Sequence, residues 1–80
     1  MIGIVDYGTN NILSVKKAFE YLNVECKIIR SQNDFTKIKK VVLPGVGAFG
    51  EAVKKLKSKE IYRIIEEWIF DDRPFLGICL

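Results

Sequence analysis

Two short segments hold the residues whose types and spacing could do chemistry. Near the carboxy end, Pro74-Phe75-Leu76-Gly77-Ile78-Cys79-Leu80 is an apolar run opened by proline, the pattern of a buried strand. Gly-x-Cys at the tip of such a strand is the first half of a nucleophile elbow, the sharp turn that lifts a reactive side chain above a sheet. Gly77, two places before Cys79, removes a side chain that would crowd that turn. A thiol with a pKa of about 8.5 is only a few per cent ionised at neutral pH, so a nucleophilic Cys79 needs a base or a helix N-terminus beside it. The sequence contains no histidine to serve as that base. The alternative is a cysteine packed inertly in a core. Chain termini normally lie at the surface, so an end inside an apolar run predicts a break at the junction between this strand and the segment that follows it.

The second segment is Pro44-Gly45-Val46-Gly47-Ala48-Phe49-Gly50. It contains a formal G-x-G-x-x-G, but three features argue against a dinucleotide site. The loop follows the third strand of the chain and not the first. Pro44 stands before it and is expected to end that strand. The acidic residues that follow, Asp71 and Asp72, sit at a helix end, where a ribose-binding acid would not be placed. Glycines here can instead let backbone N–H groups approach a ligand closely, and such donors could stabilise an oxyanion. A tight turn with no ligand is the plainest alternative.

These segments need a scaffold. Ile2 to Asp6 reads as a buried first strand followed by a Gly-Thr-Asn-Asn turn, in which Asn10 or Asn11 can cap a helix. Ile12, Val15, Phe19 and Leu22 recur at helical spacing, and Leu13 and Ala18 widen the stripe. Glu25 to Arg30 is the second strand. Phe35 and Ile38 dock a short turn. Lys40 to Leu43 is the third strand. Helices are expected from about Glu51 to Lys57 and from about Glu60 to Phe70, the second with Ile61, Ile64, Ile65 and Trp68 on one face. Strands alternating with helices imply βαβ units and a parallel sheet with right-handed crossovers. In such sheets sites gather at the carboxyl ends of the strands, where Tyr7 to Asn11, Pro44 to Gly50 and Cys79 all fall. The last strand is expected to leave one side exposed.

Bulk properties narrow the function classes. An apolar fraction of 49% and a charged fraction of 29% over 80 residues describe one globular domain, or part of a larger one, without an internal boundary. The net charge of +3 is concentrated in Lys54, Lys55, Lys57 and Lys59. No aromatic residues interleave with them, so they read as a solvated helix face and not as a nucleic-acid surface. Cys26 and Cys79 have no metal-ligand neighbours, which argues against a metal site. Cys26 lies mid-strand and reads as structural. No apolar run approaches the ~20 residues that cross a bilayer. Met1-Ile2-Gly3-Ile4-Val5 has no basic leader, and a reducing cytoplasm is the expected compartment.

Four stretches together resemble a known family: Val5-Asp6-Tyr7-Gly8, Asn11-Ile12-Leu13-Ser14-Val15, Leu43-Pro44-Gly45-Val46-Gly47-Ala48-Phe49 and Gly77-Ile78-Cys79-Leu80. They are similar to the class I glutamine amidotransferases, and among these to the start of the glutaminase subunits of imidazole glycerol phosphate synthase. The resemblance runs through the whole chain. It implies a flavodoxin-like α/β fold, a parallel sheet with helices on both faces, of which residues 1–80 are the N-terminal four strands of a larger domain. It implies that Cys79 attacks the glutamine side-chain amide to form a glutamyl thioester. It further implies an oxyanion and substrate-binding region of Gly45, Val46, Gly47 and the Leu80 N–H, with no cofactor. Ammonia would pass to a barrel-shaped synthase subunit in a heterodimer serving histidine biosynthesis, with Asn10 and Asn11 on the side facing that partner. Asn10 stands where the family usually has a second glycine. The triad's histidine and glutamate are not among these residues, so the chain as given is expected to be inactive. Two rivals follow: a paralogous glutaminase feeding a sugar amidotransferase of surface polysaccharide synthesis, and a non-catalytic flavodoxin-like binding module with an unreactive Cys79.

Overall fold

The computed structural model describes residues 1–8, 12–45, 54–57 and 59–79, with Cys79 described by its backbone alone. The elements in chain order are β1 (Ile2–Val5), α1 (Ile12–Tyr21), β2 (Cys26–Ile29), a 3-10 turn (Gln32–Phe35), β3 (Lys40–Gly45), α2 (Tyr62–Phe70) and β4 (Phe75–Cys79). Residues 54–57 form a further helical turn, and the expected start of that helix at Glu51 lies outside the described residues.

The strands form one four-stranded sheet in the order β2-β1-β3-β4, and all three pairings are parallel. This is the α/β architecture that the alternation of strands and helices implied. From β1 the chain steps to one side to reach β2, and from β3 it steps to the other side to reach β4. Crossovers of one hand that move in opposite directions must cover opposite faces of a sheet. The core divides accordingly. Val5, Tyr7, Ile29, Ile38 and Val41 pack with Leu56, Ile61, Ile65 and Trp68 on the α2 face. Ile4 and Val42 pack with Ile12 and Val15 on the α1 face. Alternate residues of a strand serve alternate faces, which is why neighbours such as Ile4 and Val5 fall into different clusters.

Both helices end with the same device. Asn23 takes φ 59° just past α1, and Asp72 takes φ 56° just past α2. The Val24 N–H donates to the Phe19 carbonyl and that of Asn23 to Glu20, while Arg73 N–H donates to Trp68 and Asp72 N–H to Ile69. Each is a Schellman closure in which Asn or Asp occupies the left-handed position usually given to glycine.

Three expectations need correction. Pro44 does not end the third strand, because β3 runs on to Gly45. The Val41 N–H donates to the Pro74 carbonyl on the β4 side, so parallel alternation directs the nitrogen of residue 44 the other way. Pairing of β3 with β1 stops at Val42, and the proline therefore gives up no ladder hydrogen bond. Second, Leu13 and Ala18 are exposed, since both lie about 100° round the helix from the Ile12-Val15-Phe19 line. Third, Leu22 is exposed because α1 closes before it, at the turn just described. Along α2, Ile61, Ile65 and Trp68 are buried as the periodicity implied, and Ile64 is half-buried. β4 lies at the sheet edge with Leu76 53% exposed, the open side expected of the last strand.

Candidate active site

The strand order reverses between β1 and β3, one leading outward to β2 and the other to β4. At such a switch point the loops leaving adjacent strands turn apart and open a crevice at the carboxyl end of the sheet. Tyr7 and Gly8 leave β1 on one side of it, and Gly45 closes β3 on the other. The register of β3 with β4 runs Val41↔Phe75, Val42↔Leu76, Leu43↔Gly77, Pro44↔Ile78 and Gly45↔Cys79. The backbone of Cys79 thus stands directly opposite Gly45, the first glycine of the Pro-Gly-Val-Gly run. Folding brings together the two segments that the sequence singled out. Of the remaining expected site residues, Asn10, Asn11, Val46, Gly47 and Leu80 lie outside the described residues, as does the side chain of Cys79.

The first loop is held by charge. Asp6 accepts the Gly8 N–H on Oδ1 at 3.2 Å, and its Oδ2 receives Arg30 Nε at 2.9 Å. Gly8 has φ +101°, a conformation that side-chain-bearing residues avoid. Arg30 follows β2 immediately, so one ion pair ties the exits of two neighbouring parallel strands. The Arg30 and Ser31 N–H groups in turn donate to Asp34 Oδ2 at 2.8 and 3.1 Å. These backbone donors, Arg30 first, hold the Asp34 carboxyl below the ordinary aspartate range, with a smaller contribution from the Lys27 ammonium.

Arg30 is a residue that sequence reasoning did not single out, and Tyr7 entered it only as the start of the loop after the first strand, with no role of its own. Tyr7 is 2% exposed, and its hydroxyl oxygen lies 3.2 Å from where a Cβ on Gly45 would stand. The pairing of Asp6 with Arg30 had a signal: opposite charges following consecutive parallel strands. Tyr7 had none for its orientation, because a tyrosine between an aspartate and a glycine at a strand exit can face either way. Cys26 is the structural cysteine expected of it. It packs against the α1-face cluster, its thiol lies 4.0 Å from the Lys16 carbonyl oxygen, and burial pushes its pKa up. Among the described residues no group of three or more His, Cys, Asp or Glu is placed to hold a metal ion.

Residues 3–80 match the family Glutamine amidotransferase class-I. The chain belongs to that family. Its relatives include the imidazole glycerol phosphate synthase subunit HisH of Prochlorococcus marinus, 40% identical over 99% of this chain and 37% of the relative. The HisH subunits of Rhodopirellula baltica and Chlorobaculum tepidum are 41% and 42% identical, each over the whole of this chain and over 39% and 40% of their own length. The chain therefore spans 37 to 40% of these curated relatives. The register puts Gly45, the first glycine of the Pro-Gly-Val-Gly run, and the backbone of Cys79 at one end of one pair of strands. Among the described residues no helix is long and apolar enough to cross a membrane.

Proposed function

We propose that these residues are the N-terminal portion of a glutaminase subunit that supplies ammonia to an imidazole glycerol phosphate synthase. The supporting observation is the Gly45↔Cys79 register at the switch point of the sheet. In this reading Cys79, as thiolate, attacks the side-chain amide carbon of glutamine. The carbonyl π electrons move to oxygen, and the resulting oxyanion takes hydrogen bonds from the N–H groups of Leu80 and of the Val46-Gly47 turn. Collapse of this intermediate breaks the C–N bond, the nitrogen leaves as ammonia after taking a proton, and the γ-glutamyl group stays on sulfur as a thioester. Water then cleaves the thioester to glutamate and frees the thiol. The proton shuttle is a histidine held by a glutamate, supplied from the part of the family's length beyond these residues.

Gly45 has a different task from its neighbours. The alternation that points the Val41 N–H at β4 points the Gly45 N–H there too, into the ladder. Gly45 therefore contributes closeness of approach, while Val46 and Gly47 contribute donors. Asn10 and Asn11 face a cyclase barrel in a cytoplasmic heterodimer, and the ammonia crosses that interface.

The test uses the full-length protein and a glutamine-analogue electrophile. Stoichiometric labelling that disappears in Cys79→Ala, together with ammonia release that disappears in the same variant, is the expected result. Labelling that persists unchanged in Cys79→Ala overturns the assignment and favours the non-catalytic module.

A further inference from the structure

We infer that Tyr7 is a positioning residue for the glutaminase centre, acting through Gly45. The inference rests on the reading above and adds to it a residue on a different strand.

Gly45 has no need of glycine on conformational grounds. Among the described glycines only Gly8 takes a positive φ. What a side chain at Gly45 would meet is limited space, because an added Cβ would stand 3.2 Å from the Tyr7 hydroxyl oxygen and 3.7 Å from the Ile78 carbonyl oxygen. The second distance is ordinary contact. The first is tight enough that the tyrosine oxygen or the strand end would have to give by a few tenths of an ångström, so the tyrosine oxygen is the group that bounds the space at this strand end. Tyr7 is in turn well fixed. Its ring is buried in the α2-face cluster, with Val5, Val41, Leu56 and Trp68 among that cluster's members. The residues on either side of it are pinned together by the Asp6–Gly8 hydrogen bond, and Asp6 is anchored to Arg30.

The hydroxyl therefore lies beside the backbone that stands opposite Cys79 in the register, in the space a Gly45 side chain would enter. A shift of a few tenths of an ångström at Gly45 is carried into the next two residues, whose N–H groups are the proposed oxyanion donors. Reaction rates respond steeply to displacements of that size, since ~1 Å of misplacement can cost about 100-fold. A purely space-filling tyrosine would make a different prediction, because phenylalanine fills the same ring volume.

The experiment is a double-mutant cycle in the full-length protein assembled with its synthase partner, reading glutaminase kcat, glutamine KM and the rate of Cys79 alkylation by a glutamine-analogue electrophile. Tyr7→Phe is expected to lower kcat several-fold with KM unchanged. Gly45→Ala is expected to lower kcat by about tenfold or more. Combining them is expected to restore part of the Gly45→Ala loss, because removing the oxygen makes room for the methyl group. An unchanged kcat in Tyr7→Phe overturns the inference, and so do losses that simply multiply in the double variant. Tyr7→Phe keeps the packed ring and carries the test even where Gly45→Ala folds poorly. The assignment of Cys79 itself is judged on Cys79→Ala alone, so failure of the underlying reading is distinguishable from failure of this one.

Discussion

Among the described residues the two faces of the sheet are covered unequally. On the α2 face Trp68 is the centre. It is 4% exposed, its Nε1 donates to the Pro74 carbonyl at 2.8 Å, and the Arg73 guanidinium lies 3.4 Å over its ring. Phe35 tilts against it at a centroid distance of 6.1 Å, and Ile61, Ile65 and Leu56 close the layer. On the α1 face the buried set among the described residues is Ile4, Ile12, Val15 and Val42, with Ile2, Phe19, Ile28 and Ile78 partly covered around it. The difference follows from which strand each helix crosses. α1 returns the chain from β1 to β2, and on its side Leu76 of β4 stays exposed although Val42 and Ile78 join the cluster, whereas on the α2 side Phe75 of β4 packs against the cluster that holds Trp68. The tyrosine whose hydroxyl bounds the space beside Gly45 belongs to the better-packed face, which suits a residue whose position must not drift.

Substitutions in the full-length protein can break this comparison or sharpen it. The largest effect is expected from Trp68→Ala, about 3–5 kcal/mol of stability by denaturant unfolding, since it removes the ring, its hydrogen bond and its cation–π partner together. A loss below ~1 kcal/mol would show that the α2 face is not the firmer one. Next comes a matched pair. Ile65→Ala is expected toward the upper part of the usual range of about 2–5 kcal/mol, and Ile12→Ala toward its lower end, because Ile65 is 2% exposed and Ile12 is 9% exposed at a looser site. Equal losses would erase the asymmetry.

A smaller effect concerns the turn that anchors Arg30. The folded pKa of Asp34 is lowered, first by the Arg30 N–H and then by the Ser31 N–H. Its contribution is thus complete above the ordinary aspartate pKa and is lost as pH falls through the lowered folded value. Denaturant midpoints followed between about pH 6 and pH 2 should show a shallower acid limb in Asp34→Asn than in the parent protein. An identical limb would mean that the turn is held by its backbone alone. The smallest effect is expected at the helix ends. Asn23→Gly and Asp72→Gly should each change stability by less than ~1 kcal/mol, toward greater stability, because each relieves a left-handed non-glycine residue. A clear loss in either would show that the side chain contributes more than its conformation costs.

Periodicity made the helices legible. Ile12, Val15 and Phe19 and then Ile61, Ile65 and Trp68 could bury only on one side of a 3.6-residue repeat, and the short β-rich apolar runs between them could only be strands of a parallel sheet. Where the reading failed, it failed at edges. Leu13 and Leu22 are apolar by composition but lie off the buried line, and nothing local distinguishes a leucine that meets the sheet from one that passes its rim. Pro44 misled because the rule against proline in a strand concerns lost donors. Whether a donor is lost depends on which neighbouring strand is still present at that level.

The sequence by itself determined the order of elements, the class of sheet and the pair of segments, Pro44 to Gly47 and Gly77 to Cys79, that could do chemistry. These are set by side-chain period, by turn-forming residues and by the chemistry of thiols and backbone amides, all of which are local. Only the tertiary structure decided that Gly45 stands opposite Cys79, that Tyr7 fills the space beside Gly45, and that Arg30 holds the loop after β1. Strand order and register are properties of contacts between distant residues, and no local pattern specifies which loop meets which across a sheet.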